Sequence, residues 1–174
     1  TQAKFRGWLQ SRYGTLENLN RAYWSAFWSH HFTDWTQVNP TDEAVDIARL
    51  DWMRFTTENI VDFMRMEKAA IRVFSDKPAS TNMMGTFGPL DYWKIAAECD
   101  FIGDDCYPDW YIGDVEREAA RFAFLHDMHY TMQDKPFILF ETCPGFPNYH
   151  TYTKMRRPNE MVREMHLALG HGSD

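Results

Sequence analysis

Glu141 closes the run Pro136-Phe137-Ile138-Leu139-Phe140, in which four apolar residues of strand type lead straight into a carboxylate. Such a charge is awkward in a core and natural in a site. A carboxyl group can attack as a nucleophile or carry a proton as acid or base. The position fits equally a residue that caps the next turn or pairs with an arginine. Two other segments end in the same way. Asn82 falls near the end of the run Ala79 to Met84, and Asp104, Asp105 and Tyr107 close the run that starts at Phe101. For Asp104 and Asp105 a turn is the simpler reading, because Asp is common in turns. His30 and His31 stand in an aromatic segment, and His166 and His171 on or after the last helix. No His-x-x-x-His pair on one helix face suggests a metal. Cys99, Cys106 and Cys143 form no CxxC pair and are odd in number, which fits neither a disulfide framework nor a self-contained zinc site. Buried free thiols in a reducing, cytoplasmic setting are expected.

Positioning these groups falls to strands that alternate with helices. Phe5, Trp8, Leu9 and Tyr13 recur at helical spacing up to Gly14, and Thr15 is placed to cap a second helix carrying Leu16, Leu19 and Tyr23. Residues 26–40 read as a long ordered loop with Phe27, Trp28, Phe32 and Trp35. A helix is predicted from Thr41 or Asp42 to about Phe74, ~50 Å long at the usual rise. Strands are predicted over Ala79–Met84, Phe101–Tyr107 and Pro136–Glu141. Helices are predicted over Leu90–Cys99, Val115–Met132 and from Arg157-Pro158 to Leu169. Apolar strands alternating with helices make an α/β chain with a parallel sheet. In a barrel of this kind the C-terminal strand ends form the catalytic face.

Composition narrows the partners. The 174 residues are 44% hydrophobic and 25% charged, which is globular, and 16% aromatic, which excludes disorder. Seven Trp and eight Tyr serve either a heavy aromatic core or rings that stack on sugars. A net charge of −7 disfavours nucleic acid. No apolar run approaches the ~20 residues that span a bilayer, so no membrane partner is expected. No glycine-rich phosphate fingerprint follows a strand, and no cofactor or metal is expected. The chain opens on Thr1 without a secretory signal, and both ends look cut from a longer protein.

The words of the sequence resemble the barrel domain of family forty-two glycoside hydrolases, the β-galactosidases of a large retaining clan. Phe5-Arg6-Gly7-Trp8-Leu9 through Arg12-Tyr13-Gly14-Thr15-Leu16 is similar to the family's F-x-x-W-L…R-Y-G-T-L. Thr81-Asn82-Met83-Met84-Gly85, then Leu90-Asp91-Tyr92-Trp93-Lys94, resembles T-N-x-M-G…L-D-Y-W-K. Asp105-Cys106-Tyr107-Pro108 resembles D-x-Y-P. Phe140-Glu141-Thr142-Cys143-Pro144-Gly145 resembles M-E-x-x-P-G. Arg157-Pro158 and Ala168-Leu169-Gly170-His171-Gly172-Ser173-Asp174 resemble the family's R-P and A-H-G-A-D. Each piece is short, and their order and spacing together are specific.

The resemblance implies one domain over residues 1–174, a partial TIM (β/α)8 barrel holding about strands five to seven. It implies Glu141 as nucleophile, Trp28 lining a galactose pocket, Tyr107 beside the nucleophile, and Asn82 facing the site. Retaining hydrolysis needs two carboxyl groups about 5–5.5 Å apart. The family's acid/base Glu sits in an Asn-Glu pair that would precede Thr1, and so would the cysteine zinc ligands of some members. Tyr149 stands where the family usually has Trp, and Thr142-Cys143 replaces the commoner Gln-Ser. The implied substrate is a β-galactoside or oligosaccharide. A part-barrel exposes sheet edges and strand faces, so a homo-oligomer is expected. Two other readings stay open: a retaining glycosidase of the same clan with another sugar, to which Tyr149 points, and a non-catalytic carbohydrate-binding relative.

Overall fold

A computed structural model describes residues 1–40, 46–109, 114–142 and 155–174. The chain divides into two compact units, Thr1–Asp62 and Phe63–Asp174.

The first unit is helical. Helix α1 (Gln2–Tyr13) buries Phe5 and Leu9, one turn apart, and ends at Gly14, whose φ of 74° suits a residue without a side chain. Helix α2 (Leu16–Tyr23) is capped as expected: Thr15 Oγ1 accepts from Asn18 N at 3.2 Å. The Asn18 side chain then donates to Tyr13 O instead of completing a capping box. After α2 the chain makes two short 3-10 turns, Phe27–Ser29 and Trp35–Gln37. Asn20 holds this stretch like a strand partner, accepting from Phe32 N at 2.9 Å and donating to Phe32 O at 2.7 Å. Phe5, Leu9, Leu19, Tyr23, Phe32 and Val38 share one core with Ala48 and Phe55.

Those last two residues belong to helix α3 (Asp46–Arg72). The expected start at Thr41 or Asp42 lies outside the described residues. At the other end the helix stops at Arg72, short of Phe74, because Phe74 N and Ser75 N both turn back to Ile71 O. Asp51 of α3 is fully buried and accepts from Tyr13 and Tyr23 hydroxyls at 2.5 and 3.2 Å and from Arg54 at 3.0 Å. Burial, reinforced by Asp51, pushes the Tyr23 phenol above its ordinary range.

The second unit is α/β. Strand β1 (Asn82–Met83), helix α4 (Tyr92–Ala96), strand β2 (Gly103–Asp105), helix α5 (Val115–Gln133), strand β3 (Ile138–Glu141) and helix α6 (Glu160–Gly170) follow in order. The strands form a parallel sheet in the order β1-β2-β3, as the alternation of elements implies. Beyond α6 the chain begins to pair beside β3, with Asp174 N donating to Phe137 O at 2.8 Å. The strands are shorter than their sequence runs, and β2 is not apolar: its residues are Gly103, Asp104 and Asp105. The two aspartates therefore lie in the ladder, and the turn reading of them is corrected.

One face of the sheet packs on helices. There Leu139 meets Cys106, Phe122, Leu125, Met128 and Leu167. On the opposite face Ile138 and Phe140 are 39% and 40% exposed. The Phe140 ring lies against Gly103, where an added Cβ would come within 2.3 Å of it. Asp100, just before β2, ties the unit together at the strand entrances, accepting from Lys68 at 2.7 Å, Arg72 at 2.5 Å and Ala79 N at 2.7 Å.

Candidate active site

Side chains on one face of a parallel sheet meet only if the registers agree. Asn82 stands opposite Gly103, and Met83 opposite Asp104, which puts Asn82 and Asp105 on the same face. Between Asp104 and Asp105 the register with β3 slips: Asp104 pairs with Leu139 and Asp105 with Glu141. The extra residue, Phe140, makes a β-bulge, a device that re-aims a side chain next to a site. Glu141 consequently turns to the face that carries Asn82 and Asp105.

The four groups converge there. Asn82 Nδ2 donates to Glu141 Oε1 at 3.1 Å and to both Asp105 oxygens at 2.9 and 3.1 Å. The Tyr107 hydroxyl donates to Glu141 Oε2. Both oxygens of an exposed carboxylate are thus held in one orientation. Asp105, partly buried beside the Glu141 charge, has its carboxyl raised above the usual range, by burial first and then by Glu141 and Asp104. A cleft of about 500 Å³ opens on the cluster, with Gly85, Thr86 and Arg121 in its wall.

Behind this face a second polar layer is buried. Asp104, Cys106, His126 and His129 are each 2% exposed or less. His126 Nδ1 lies 3.1 Å from Asp104 Oδ2, and His129 Nδ1 3.3 Å from Asp104 Oδ1. Burial raises the Asp104 carboxyl, but the two imidazoles outweigh it and the net shift is downward. The layer is tied to the site through the backbone, since Cys106 N donates to Glu141 O at 2.9 Å. Past β3, Thr142 Oγ1 donates to Glu164 Oε1, and Arg156 pairs with Glu164 Oε2, with Glu164 fully buried on α6. The residue after Glu141 is therefore anchored too.

Of the residues singled out in the sequence, Asn82, Tyr107 and Glu141 are brought together. Trp28 lies in the first unit, in the 3-10 turn Phe27–Ser29. Tyr149 and Cys143 lie outside the described residues. Cys99 and Cys106 are buried free thiols, as expected. Sequence reasoning missed the Asp105 contact, the two helix histidines, and Glu164 with Arg156. A signal existed for the histidines: His126-x-x-His129 puts both on one side of α5.

Comparison with known proteins decides the family. The β-galactosidase family model that carries the number forty-two matches residues 1–174. This chain belongs to that β-galactosidase family. Beta-galactosidase BglY of Alicyclobacillus acidocaldarius is 37% identical over 179 residues, covering 99% of this chain and 26% of the relative. Beta-galactosidase GanA of Bacillus subtilis is 35% identical over 188 residues, covering 99% and 28%. The solved β-galactosidase of a Rahnella species superposes with a TM-score of 0.90 at 38% identity, over 98% of this chain and 26% of that one. That of Bacillus circulans gives 0.86 at 32% identity, over 98% and 26%. The chain thus spans about a quarter of the length of these family members. No described helix is long and apolar enough to cross a membrane.

Proposed function

We propose that the chain is part of a retaining β-galactosidase and that Glu141 is its nucleophile. The observation that carries this reading is the grip on Glu141: Asn82 and Tyr107 each donate to a different oxygen of a strand-end carboxylate beside an open cleft. Such a grip fixes the rotamer from which the carboxylate attacks an anomeric carbon. The leaving oxygen departs with a proton from a second carboxyl group, and water then breaks the glycosyl ester. In this reading the second group is a Glu upstream of Thr1. The three strands are the fifth to seventh of an eight-stranded enzyme barrel, the TIM (β/α)8 fold, and residues 1–174 are one stretch of its single catalytic domain. Trp28 and Tyr149 line the sugar pocket, Asn82 and Tyr107 hold the nucleophile, and the substrate is a terminal β-galactoside. The assembled enzyme is cytoplasmic and homo-oligomeric.

The test is covalent trapping. The complete polypeptide that contains this chain is incubated with 2-deoxy-2-fluoro-β-galactosyl fluoride, digested, and mapped by mass spectrometry. One added fluorogalactosyl group on the peptide bearing Glu141 is the expected result. Labelling at another carboxylate overturns the residue assignment. Labelling only by a fluoroglycoside of a different sugar overturns the substrate.

A further inference from the structure

Asp104 and Cys106 lie two residues apart on one strand segment, and His126 and His129 lie one turn apart on α5. All four are sealed from solvent. Oxygen, sulfur and imidazole donors of Asp104, Cys106 and His126 all fall within 4.8 Å of one another. His126 Nε2 is 3.9 Å from Cys106 Sγ, and its Nδ1 is 3.1 Å from Asp104 Oδ2. Neighbouring ligands on a tetrahedral zinc ion stand roughly 3.3–3.6 Å apart, given its bond lengths to nitrogen, oxygen and sulfur. The two contacts above run to opposite nitrogens of the His126 ring, of which an ion takes one, so it is the 4.8 Å limit on the three donors that describes the cluster an ion would meet.

A second observation points the same way. Neither ring nitrogen of His129 has a hydrogen-bond partner among the described residues, although the ring is fully buried. Its Nδ1 sits 3.3 Å from Asp104 Oδ1 without the geometry of a hydrogen bond. A buried imidazole left in this state is costly in a purely hydrogen-bonded cluster. Its ring nitrogens are therefore available to a ligand other than a hydrogen-bonding group.

We infer that Asp104, Cys106, His126 and His129 form a structural zinc site that clamps β2 to α5 behind the catalytic face. Binding draws His129, which lies outside the 4.8 Å group, in toward Asp104, Cys106 and His126, and turns the His126 ring to offer one nitrogen to the ion. The mixed S, N, O set suits Zn²⁺ better than Mg²⁺ or Ca²⁺, which prefer oxygen alone. One carboxylate and one thiolate balance the ion's two positive charges, so the filled site is neutral, as a buried site needs to be. The thiol proton leaves to solvent on binding. With four protein ligands no position remains for substrate, so the role is structural, and the inference stands apart from the galactosidase reading.

The complete polypeptide is stripped with a chelator, reloaded with Zn²⁺, freed of excess and its zinc counted by plasma mass spectrometry. Zinc bound at any other site is common to all variants. Cys106→Ala and His129→Gln, checked for folding by circular dichroism, are each expected to hold one equivalent less per chain than the wild type. Equal zinc content in folded variants and wild type overturns the inference. If a variant does not fold, crystals of the wild type decide: an anomalous difference peak at the zinc edge among the four side chains is expected, and its absence from zinc-loaded crystals overturns the site.

Discussion

Asp51 in the first unit and Glu141 in the second both accept hydrogen bonds from tyrosine hydroxyls, yet they lie at opposite ends of the exposure scale. Asp51 is fully buried, with two phenols and Arg54 bonded to it and Arg12 at 3.6 Å. Nothing is left over on it for a ligand. Glu141 is exposed, held by one amide and one phenol, and open to a cleft. The same residue chemistry therefore does two jobs. Where every lone pair is taken inside the protein, the carboxylate organises packing. Where two donors fix its direction and leave its outer side free, it is equipped to react.

Substitutions that exchange these outcomes test the contrast. If Glu141 is the proposed nucleophile, Glu141→Gln in the complete enzyme lowers kcat by more than about 10³-fold with little change in melting temperature, because the exposed side chain leaves no buried charge stranded. Asp51→Ala should do the reverse. It leaves the buried Tyr23 hydroxyl without its acceptor, costs about 1–3 kcal/mol in denaturant unfolding, and leaves kcat of the folded fraction near wild type. A large loss of kcat with unchanged stability for Asp51→Ala would erase the distinction. Tyr107→Phe removes one of the two donors to Glu141, and a fall of about 10²-fold in kcat is expected from steady-state kinetics.

Two smaller effects sharpen the picture within the second unit. Gly103→Ala forces the Phe140 ring off its seat and should cost about 1–3 kcal/mol, measured by urea unfolding. Asp100 carries a depressed carboxyl, at about 2, chiefly through its hydrogen bonds from Lys68 and then from the Ala79 amide. A group whose folded value lies below its unfolded one stabilises the protein above the unfolded value and loses that contribution as pH falls toward the folded one. Acid titration of stability should therefore show a decline between about pH 4 and pH 2. Asp100→Asn should flatten that part of the curve.

What the sequence disclosed was local. The apolar period and the Thr15 cap gave α1 and α2, and the Val115 start gave α5, because helix signals lie within one turn of the residues they act on. That Asn82, Tyr107 and Glu141 stand together was legible from their places at strand ends and from the family's motifs. Strand lengths were not: apolar runs mark burial, while the ladder is set by pairing across the sheet. Asp104 was read as a turn residue since its stabilising imidazoles lie 22 and 25 positions further on. Glu164 gave no signal at all, for Thr142 and Arg156 reach it only through the fold.

The bulge at Phe140 carries a further consequence. Side chains along a strand alternate like odd and even numbers, and the extra residue changes the parity of everything after it. Glu141 reaches the open face through a count of residues, and no property of the glutamate itself decides it. Strict alternation over the same residues, with Phe140 rather than Glu141 opposite Asp105, would send the carboxylate toward the helices, with every motif residue of the site still present in the sequence.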